Sequence, residues 1–172
     1  MKPKKSFDEI YMELAETLAE KFSNRLRVPE SLRRMVADGL LGRKSGRGYY
    51  LHNKGKEPVP NPQAAAYVLS DKAHAISREE LQERMVFLMV NEAARCLEER
   101  IVSDPADVDF AMIMGTGFAP FRGGPLRYTD AVSATTLAGA MNQLVASGAA
   151  HFAPCDLLAE MAANGKRFYE RE

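Results

Sequence analysis

An excess of charge of either sign is absent from this sequence. Its 23 lysines and arginines are matched by 23 aspartates and glutamates. No global field therefore draws the chain toward nucleic acid or an anionic membrane, and any basic site must be local. Cysteine is scarce as well. Cys96 and Cys155 have no cysteine or histidine neighbour at metal-ligand spacing, and two thiols in 172 residues make no disulfide framework, which points to reduced thiols in a cytoplasmic protein. No apolar run approaches membrane-spanning length. The basic start Met1-Lys-Pro-Lys-Lys5 leads into an amphipathic segment, not into the apolar stretch of a signal peptide. Strand-length runs of alternating polarity are missing too, so the expected class is all-α, with no nucleic-acid or membrane partner.

What is present is ordinary globular material: 46% hydrophobic and 27% charged residues, enough for a core in one compact domain or two small helical ones. Ser6-Phe-Asp-Glu9 and Ser77-Arg-Glu-Glu80 read as capping boxes, in which hydroxyl and carboxylate satisfy amides that the first helical turn leaves open. After the first, Phe7, Ile10, Tyr11, Leu14, Leu18 and Phe22 recur at helical period; after the second, Leu81, Met85, Leu88, Met89, Ala93, Cys96 and Leu97 do. A short helix follows Pro29, with Leu32, Met35 and Val36 on one face and Gly39 at its left-handed end. Ser103-Asp-Pro-Ala-Asp-Val-Asp109 opens another, with Pro105 pre-setting φ and acids gathered at the positive end of the helix dipole. Two more are predicted at 133–147 and 155–164, before Gly165. Residues 42–50 and 115–125 read as loops, and Pro58-Val-Pro-Asn-Pro62 as a linker.

Leu32-Arg-Arg-Met35-Val-Ala37-Asp-Gly39 and Leu158-Ala-Glu-Met161-Ala-Ala163-Asn-Gly165 agree at Leu, Met, Ala and Gly. Each has a proline before it and aromatics after it, which suggests two copies of one helical unit, the first without its front part.

Motifs that carry chemistry are sparse. Gly115-Thr-Gly117-Phe-Ala-Pro120 superficially resembles a dinucleotide fingerprint. The residues before it are helical by period, however, and proline stands where the third glycine belongs, so a tight interhelical loop is the better reading. Asn24, in Phe22-Ser-Asn-Arg25, reads as a helix exit. His52, His74 and His151 are isolated from each other and from any triad or metal pattern. Arg43, Lys44 and Arg47 sit in a glycine-containing loop that could meet phosphate, although a solvated loop is the better reading of them. No catalytic residue, cofactor-binding residue or metal ligand is assigned.

Function has to come from resemblance. Glu83-Arg-Met-Val-Phe-Leu-Met-Val-Asn-Glu-Ala-Ala-Arg-Cys-Leu-Glu-Glu99 is followed by Ala106-Asp-Val-Asp-Phe-Ala-Met112 and by Met114-Gly-Thr-Gly-Phe-Ala-Pro-Phe-Arg-Gly-Gly-Pro-Leu-Arg-Tyr-Thr-Asp130. Together they resemble the 3-hydroxyacyl-CoA dehydrogenase C-terminal domain, more closely its second copy in the alpha subunit of the multifunctional β-oxidation complex. Residues 29–50, with Leu40-Leu-Gly-Arg-Lys-Ser-Gly-Arg-Gly-Tyr-Tyr50, resemble the closing part of the first copy.

The resemblance implies a 6-phosphogluconate-dehydrogenase-C-terminal-like helical fold with one and a half copies of the repeat. The closing part of the first copy would span 1–57, a proline-containing linker 58–76 and the second copy 77–172. It also implies an NAD-dependent dehydrogenase of fatty-acid β-oxidation. Hydride transfer in that family uses a His-Glu pair in a Rossmann domain and an Asn opening the first helical copy; in the second copy Glu83-Arg84 stands at the matching Asn-Arg position. A carboxylate there would repel a developing alkoxide. Asn24 aligns with a later helix end instead. The chain alone is therefore expected to be inactive and to bind no cofactor, NAD belonging to the intact family enzyme. Its partners would be the Rossmann-domain portion, on the same or a separate chain, and further copies of itself covering apolar surface at residues 6–55. Acyl-CoA would be a further ligand under the second of the alternatives below, with Arg43 and Lys44 near the CoA phosphates. The alternatives are a non-catalytic oligomerisation module and a stand-alone acyl-CoA-binding helical domain.

Overall fold

The computed structural model describes residues 7–22, 25, 28–67 and 76–169, with the backbone alone over 7–12. The chain divides into two compact units, 1–74 and 75–172. Ser6, Asn24 and His74 lie outside the described residues.

In the first unit, helix α1 runs Phe7–Lys21 and α2 runs Glu30–Ala37. The predicted stripe of α1 is largely exposed where its side chains are described, at Leu14, Leu18 and Phe22. Met35 on α2 is buried against Leu40 and Ala64 with Tyr67 at the edge, a core of only a few side chains. Residues 58–67, read as part of a linker, are structured. Val59–Pro60 forms β2, antiparallel to β1 at Tyr50–Leu51, and Pro62–Tyr67 winds into a 3₁₀ helix. Buried Asn61 makes this possible: its side chain donates to the Gly48 carbonyl at 2.8 Å and accepts from the Gln63 amide at 3.1 Å. Periodicity could not show a pair of strands two residues long, since alternation needs more positions than that.

The second unit is an α-helical bundle. α3 spans Arg78–Glu98, α4 Pro105–Thr116, α5 Pro125–Val132, α6 Ala134–Ala146 and α7 Asp156–Asn164. Its core joins Val90 and Ala94 of α3, Leu126 of α5, Met141 of α6 and Leu158 of α7, all fully buried. Burial of each large side chain contributes roughly 1.5–3 kcal/mol. The second capping box is half formed. Ser77 Oγ accepts from the Glu80 amide at 3.1 Å, while the Glu80 carboxylate turns to Arg84 at 2.6 Å. Helix α5 starts at Pro125, the last residue of the span read as loop, and continues through residues for which the sequence predicts no element. Its buried face carries Thr129 and Asp130 beside Leu126, so no apolar stripe announces it.

The internal repeat is reproduced in hydrogen bonds. Met35 O accepts from the Leu40 amide at 2.8 Å and Met161 O from the Lys166 amide at 3.0 Å, each across a left-handed glycine, Gly39 at φ 73° and Gly165 at φ 62°. These are equivalent helix ends in the two units.

Asn91 ties α3 to the start of α7. Its amide donates to Ala153 O and its Oδ1 accepts from the Cys155 amide, both at 2.8 Å, in a site 2% exposed. Asn91→Ala is expected to lower the unfolding free energy by about 2 kcal/mol, because the buried Cys155 amide loses its acceptor and the part-buried Ala153 carbonyl its donor. A urea denaturation curve checks this.

Candidate functional site

Besides Thr129, which donates to the Pro125 carbonyl of its own helix, three polar side chains are buried among the described residues of the second unit, and all three bind backbone. Asp109 accepts from the amides of Leu126 at 2.7 Å and Arg127 at 3.0 Å, and from the Tyr169 hydroxyl at 2.7 Å. Asp130 accepts from the amides of Phe168 and Tyr169, each at 2.9 Å. Asn91 is the third. The acids that open α4 therefore divide. Asp104 caps its own helix through the Ala106 amide, whereas Asp109 turns away to cap α5. That division corrects the reading of all these acids as partners of one dipole. Gly124 admits the carboxylate: its φ is 107°, and a Cβ there would overlap Asp109.

A groove of about 750 Å³ opens on this unit. One wall is α3, with Glu79, Glu83, Met85 and Met89; the other is Thr116–Ala119 with Arg122 and Tyr128. Its surface is mainly apolar and its charge lies on the rims. Arg122 stacks over Tyr128 at 4.9 Å. Glu83 is exposed, and Arg84 beside it is held by Glu80 and lies 6.0 Å from the Phe152 ring. Glu83 thus presents its carboxylate to solvent at the groove edge. Gly115 and Thr116 end α4, and Gly117 takes the left-handed cap at φ 73°. No strand leads into this loop, and its glycines serve a helix end.

Arg43 and Lys44 are exposed on a tight turn in the first unit, closed by the Gly42–Arg47 bridge. Amides of the turn donate within it: Leu41 to Ser45 Oγ at 2.9 Å and Gly42 to Arg47 O at 2.9 Å. Any anion here would meet side chains before backbone. His52 is half-buried, and exposed His151 lies beside Phe152 at 4.4 Å between ring centroids. Among the described residues no group of three His, Cys, Asp or Glu is placed to hold a metal, and no helix is long and apolar enough to cross a membrane.

Neither cysteine is part of a disulfide. Burial pushes the Cys155 thiol from its ordinary value of 9.0 up to about 12. Burial, and then the hydrogen bond to Asp109, raise Tyr169 above its ordinary 10.0. Both groups hold their proton more tightly folded than unfolded. Their contribution to stability is therefore complete below about pH 9 and is lost as pH rises toward 12. Urea midpoints taken between neutral and strongly alkaline pH should fall steadily above pH 9, and iodoacetamide at pH 8 should leave Cys155 unmodified until urea unfolds the chain.

The sequence profile described as 3-hydroxyacyl-CoA dehydrogenase, C-terminal domain, matches residues 81–170. Proteins named fatty acid oxidation complex subunit alpha are similar along nearly the whole chain. That of Shewanella amazonensis is 36% identical over 163 residues, 94% of this chain and 23% of its own length. The Shewanella frigidimarina protein is 33% identical over 165 residues, 95% of this chain and 23% of its own. The Shewanella loihica protein is 36% identical over 163 residues, with 94% and 23% covered. The chain thus spans about a quarter of the length of the curated relatives it matches.

Proposed function

From the premise that this chain belongs to the 3-hydroxyacyl-CoA dehydrogenase C-terminal domain family, we propose that it is the helical, active-site-supporting region of an NAD-dependent dehydrogenase of fatty-acid β-oxidation. The observation that carries this reading is the use of its buried polar groups. Asn91, Asp109 and Asp130 all fix backbone ends of helices or of the 166–169 segment, and none is turned toward the groove. The unit is built to hold a shape. Its part in hydride transfer is to fix the geometry of helices that a dinucleotide-binding portion works against, on the same or another chain, and positioning of this kind alone is worth several kcal/mol in an enzyme.

Apolar side chains left open in the first unit, Leu14, Leu18 and Phe22, support association with further copies. A stand-alone acyl-CoA-binding domain is the second reading, favoured by the paired exposed cations Arg43 and Lys44. NADH oxidation followed at 340 nm with acetoacetyl-CoA and the chain alone tests the first reading. Absorbance is expected to stay at background, and turnover that persists through repurification overturns it. Thermal shift with acetoacetyl-CoA tests the second: a shift abolished by Arg43→Ala with Lys44→Ala supports it, and no shift removes it.

A further inference from the structure

We infer that the first unit carries a binding surface for single-stranded nucleic acid, formed by the adjacent turns 43–46 and 53–56 together with Tyr49 and Tyr50.

The charge of this chain balances only in total. Residues 39–56 contain five lysines and arginines and no aspartate or glutamate. Asp38 and Glu57 border the stretch, and Asp38 is taken by the Tyr67 hydroxyl at 2.6 Å. A matched total excludes a global field and leaves a local one open. Backbone pairing gathers these cations. Gly42 bridges Arg47 and Arg47 bridges Leu51, so the chain reverses twice between them, and it reverses a third time before Val59 pairs with Leu51. The first and third reversals share one end of this small array, because the His52 amide donates to Gly46 O at 2.7 Å. Arg43 and Lys44 on one turn therefore stand beside Lys54 and Lys56 on the other, and all four are exposed. Among the described residues Arg43, Lys54 and Lys56 form no ion pair.

The turns and the second reversal select the ligand. The turns hold no cradle for a single phosphate: the amides of Gly42, Gly46 and Lys56 donate to Arg47 O, Arg43 O and Asn53 O. Long cationic side chains over open surface suit a ligand that presents phosphates in series, since every contact releases a counterion. The second reversal, at 48–50, carries Tyr49 and Tyr50, each 51% exposed. Rings beside a basic strip give bases a stacking surface, and only unpaired bases reach it. The spacing of rings and cations is fixed. A Cβ at Gly48 would lie 2.8 Å from Gly42 Cα, and Asn61 holds the Gly48 carbonyl at 2.8 Å.

Fluorescence anisotropy of a labelled oligouridylate about twelve nucleotides long, titrated with the full chain, tests this. At low salt a dissociation constant on the order of micromolar is expected, and each phosphate contact should add about −0.7 to the slope of log affinity against log salt. Arg43→Ala with Lys44→Ala, and Lys54→Ala with Lys56→Ala, should each weaken binding about tenfold and flatten that slope. Tyr49→Ala with Tyr50→Ala should weaken it about tenfold at an unchanged slope, while Tyr49→Phe with Tyr50→Phe keeps it, because stacking needs the ring and not the hydroxyl. Lys166→Ala in the second unit, at a cation paired with Glu160, should change nothing. Thermal midpoints verify that each variant is folded. Absence of binding at low salt overturns the inference. A duplex of the same length bound equally well, or alanines at both tyrosines without effect, leaves a bare polyanion surface and overturns it too. Displacement of the oligonucleotide by equimolar CoA assigns the cations to the acyl-CoA reading instead. Capture by phosphatidylserine vesicles without oligonucleotide binding replaces nucleic acid with a membrane surface.

Discussion

Asp109→Ala should lower the unfolding free energy of the second unit by about 3–5 kcal/mol, seen as a lower urea midpoint with an unchanged slope. The side chain is 3% exposed and is the shared acceptor for two amides at the start of α5 and for the Tyr169 hydroxyl. Truncation leaves all three donors without an acceptor, the Leu126 amide in a buried contact and the Arg127 amide and Tyr169 hydroxyl in part-buried ones, and the loss at the buried amide costs more than its hydrogen bond contributes net. Two companions separate the parts. Asp109→Asn keeps an acceptor for one amide but turns a donor toward the other, and should fall about midway. Tyr169→Phe removes the single hydroxyl contact and should cost about 1 kcal/mol. An alanine variant within about 1 kcal/mol of wild type would mean that water replaces the carboxylate, and the account of α5 capping would be wrong.

Gly124→Ala is expected to be similarly damaging, at about 3 kcal/mol or more, measured by thermal melts. The residue has φ 107°, where a side chain is strained whatever the space around it, and an added methyl overlaps both Cβ and Cγ of Asp109. Either the carboxylate retreats from the amides or α5 shifts, so the substitution attacks the same contact from the other side. The two changes should therefore combine to less than their sum, since the alanine at 109 removes two of the three overlapping atoms, Cγ and Oδ1. A Gly124→Ala chain that melts at the wild-type midpoint would show that the backbone relaxes without cost.

Helix ends were the legible part of the sequence. Ser77, Pro105, Gly39 and Gly165 each occupy the terminal position expected of them, because capping depends on a residue and its immediate neighbours. The repeat was legible for the same reason. α5 was not, because Thr129 and Asp130 occupy its inward face and a search for apolar residues passes over them. The one cue was Gly123-Gly124-Pro125, glycine followed by proline at a first helical position. Asp109 was assigned to the wrong helix, since its partners follow by 17 and 18 residues and nothing local reveals them. The groove was invisible for a different reason. Its α3 wall belongs to a recognisable amphipathic stripe, but Met85, Leu81 and Leu88 on that stripe are exposed, and periodicity identifies a face without saying what covers it.

The contacts of Asp109 and Asp130 also impose an order on synthesis. As the chain leaves a ribosome, Asp109 can cap α5 after 18 further residues, yet its third partner, Tyr169, follows only after 60. Asp130 waits 38 and 39 residues for both of its amides. Until residues 168 and 169 emerge, the two carboxylates keep part of their hydration. A nascent chain halted shortly before Phe168 therefore carries α3 to α7 complete, while Asp130 lacks both of its amides and Asp109 its phenol.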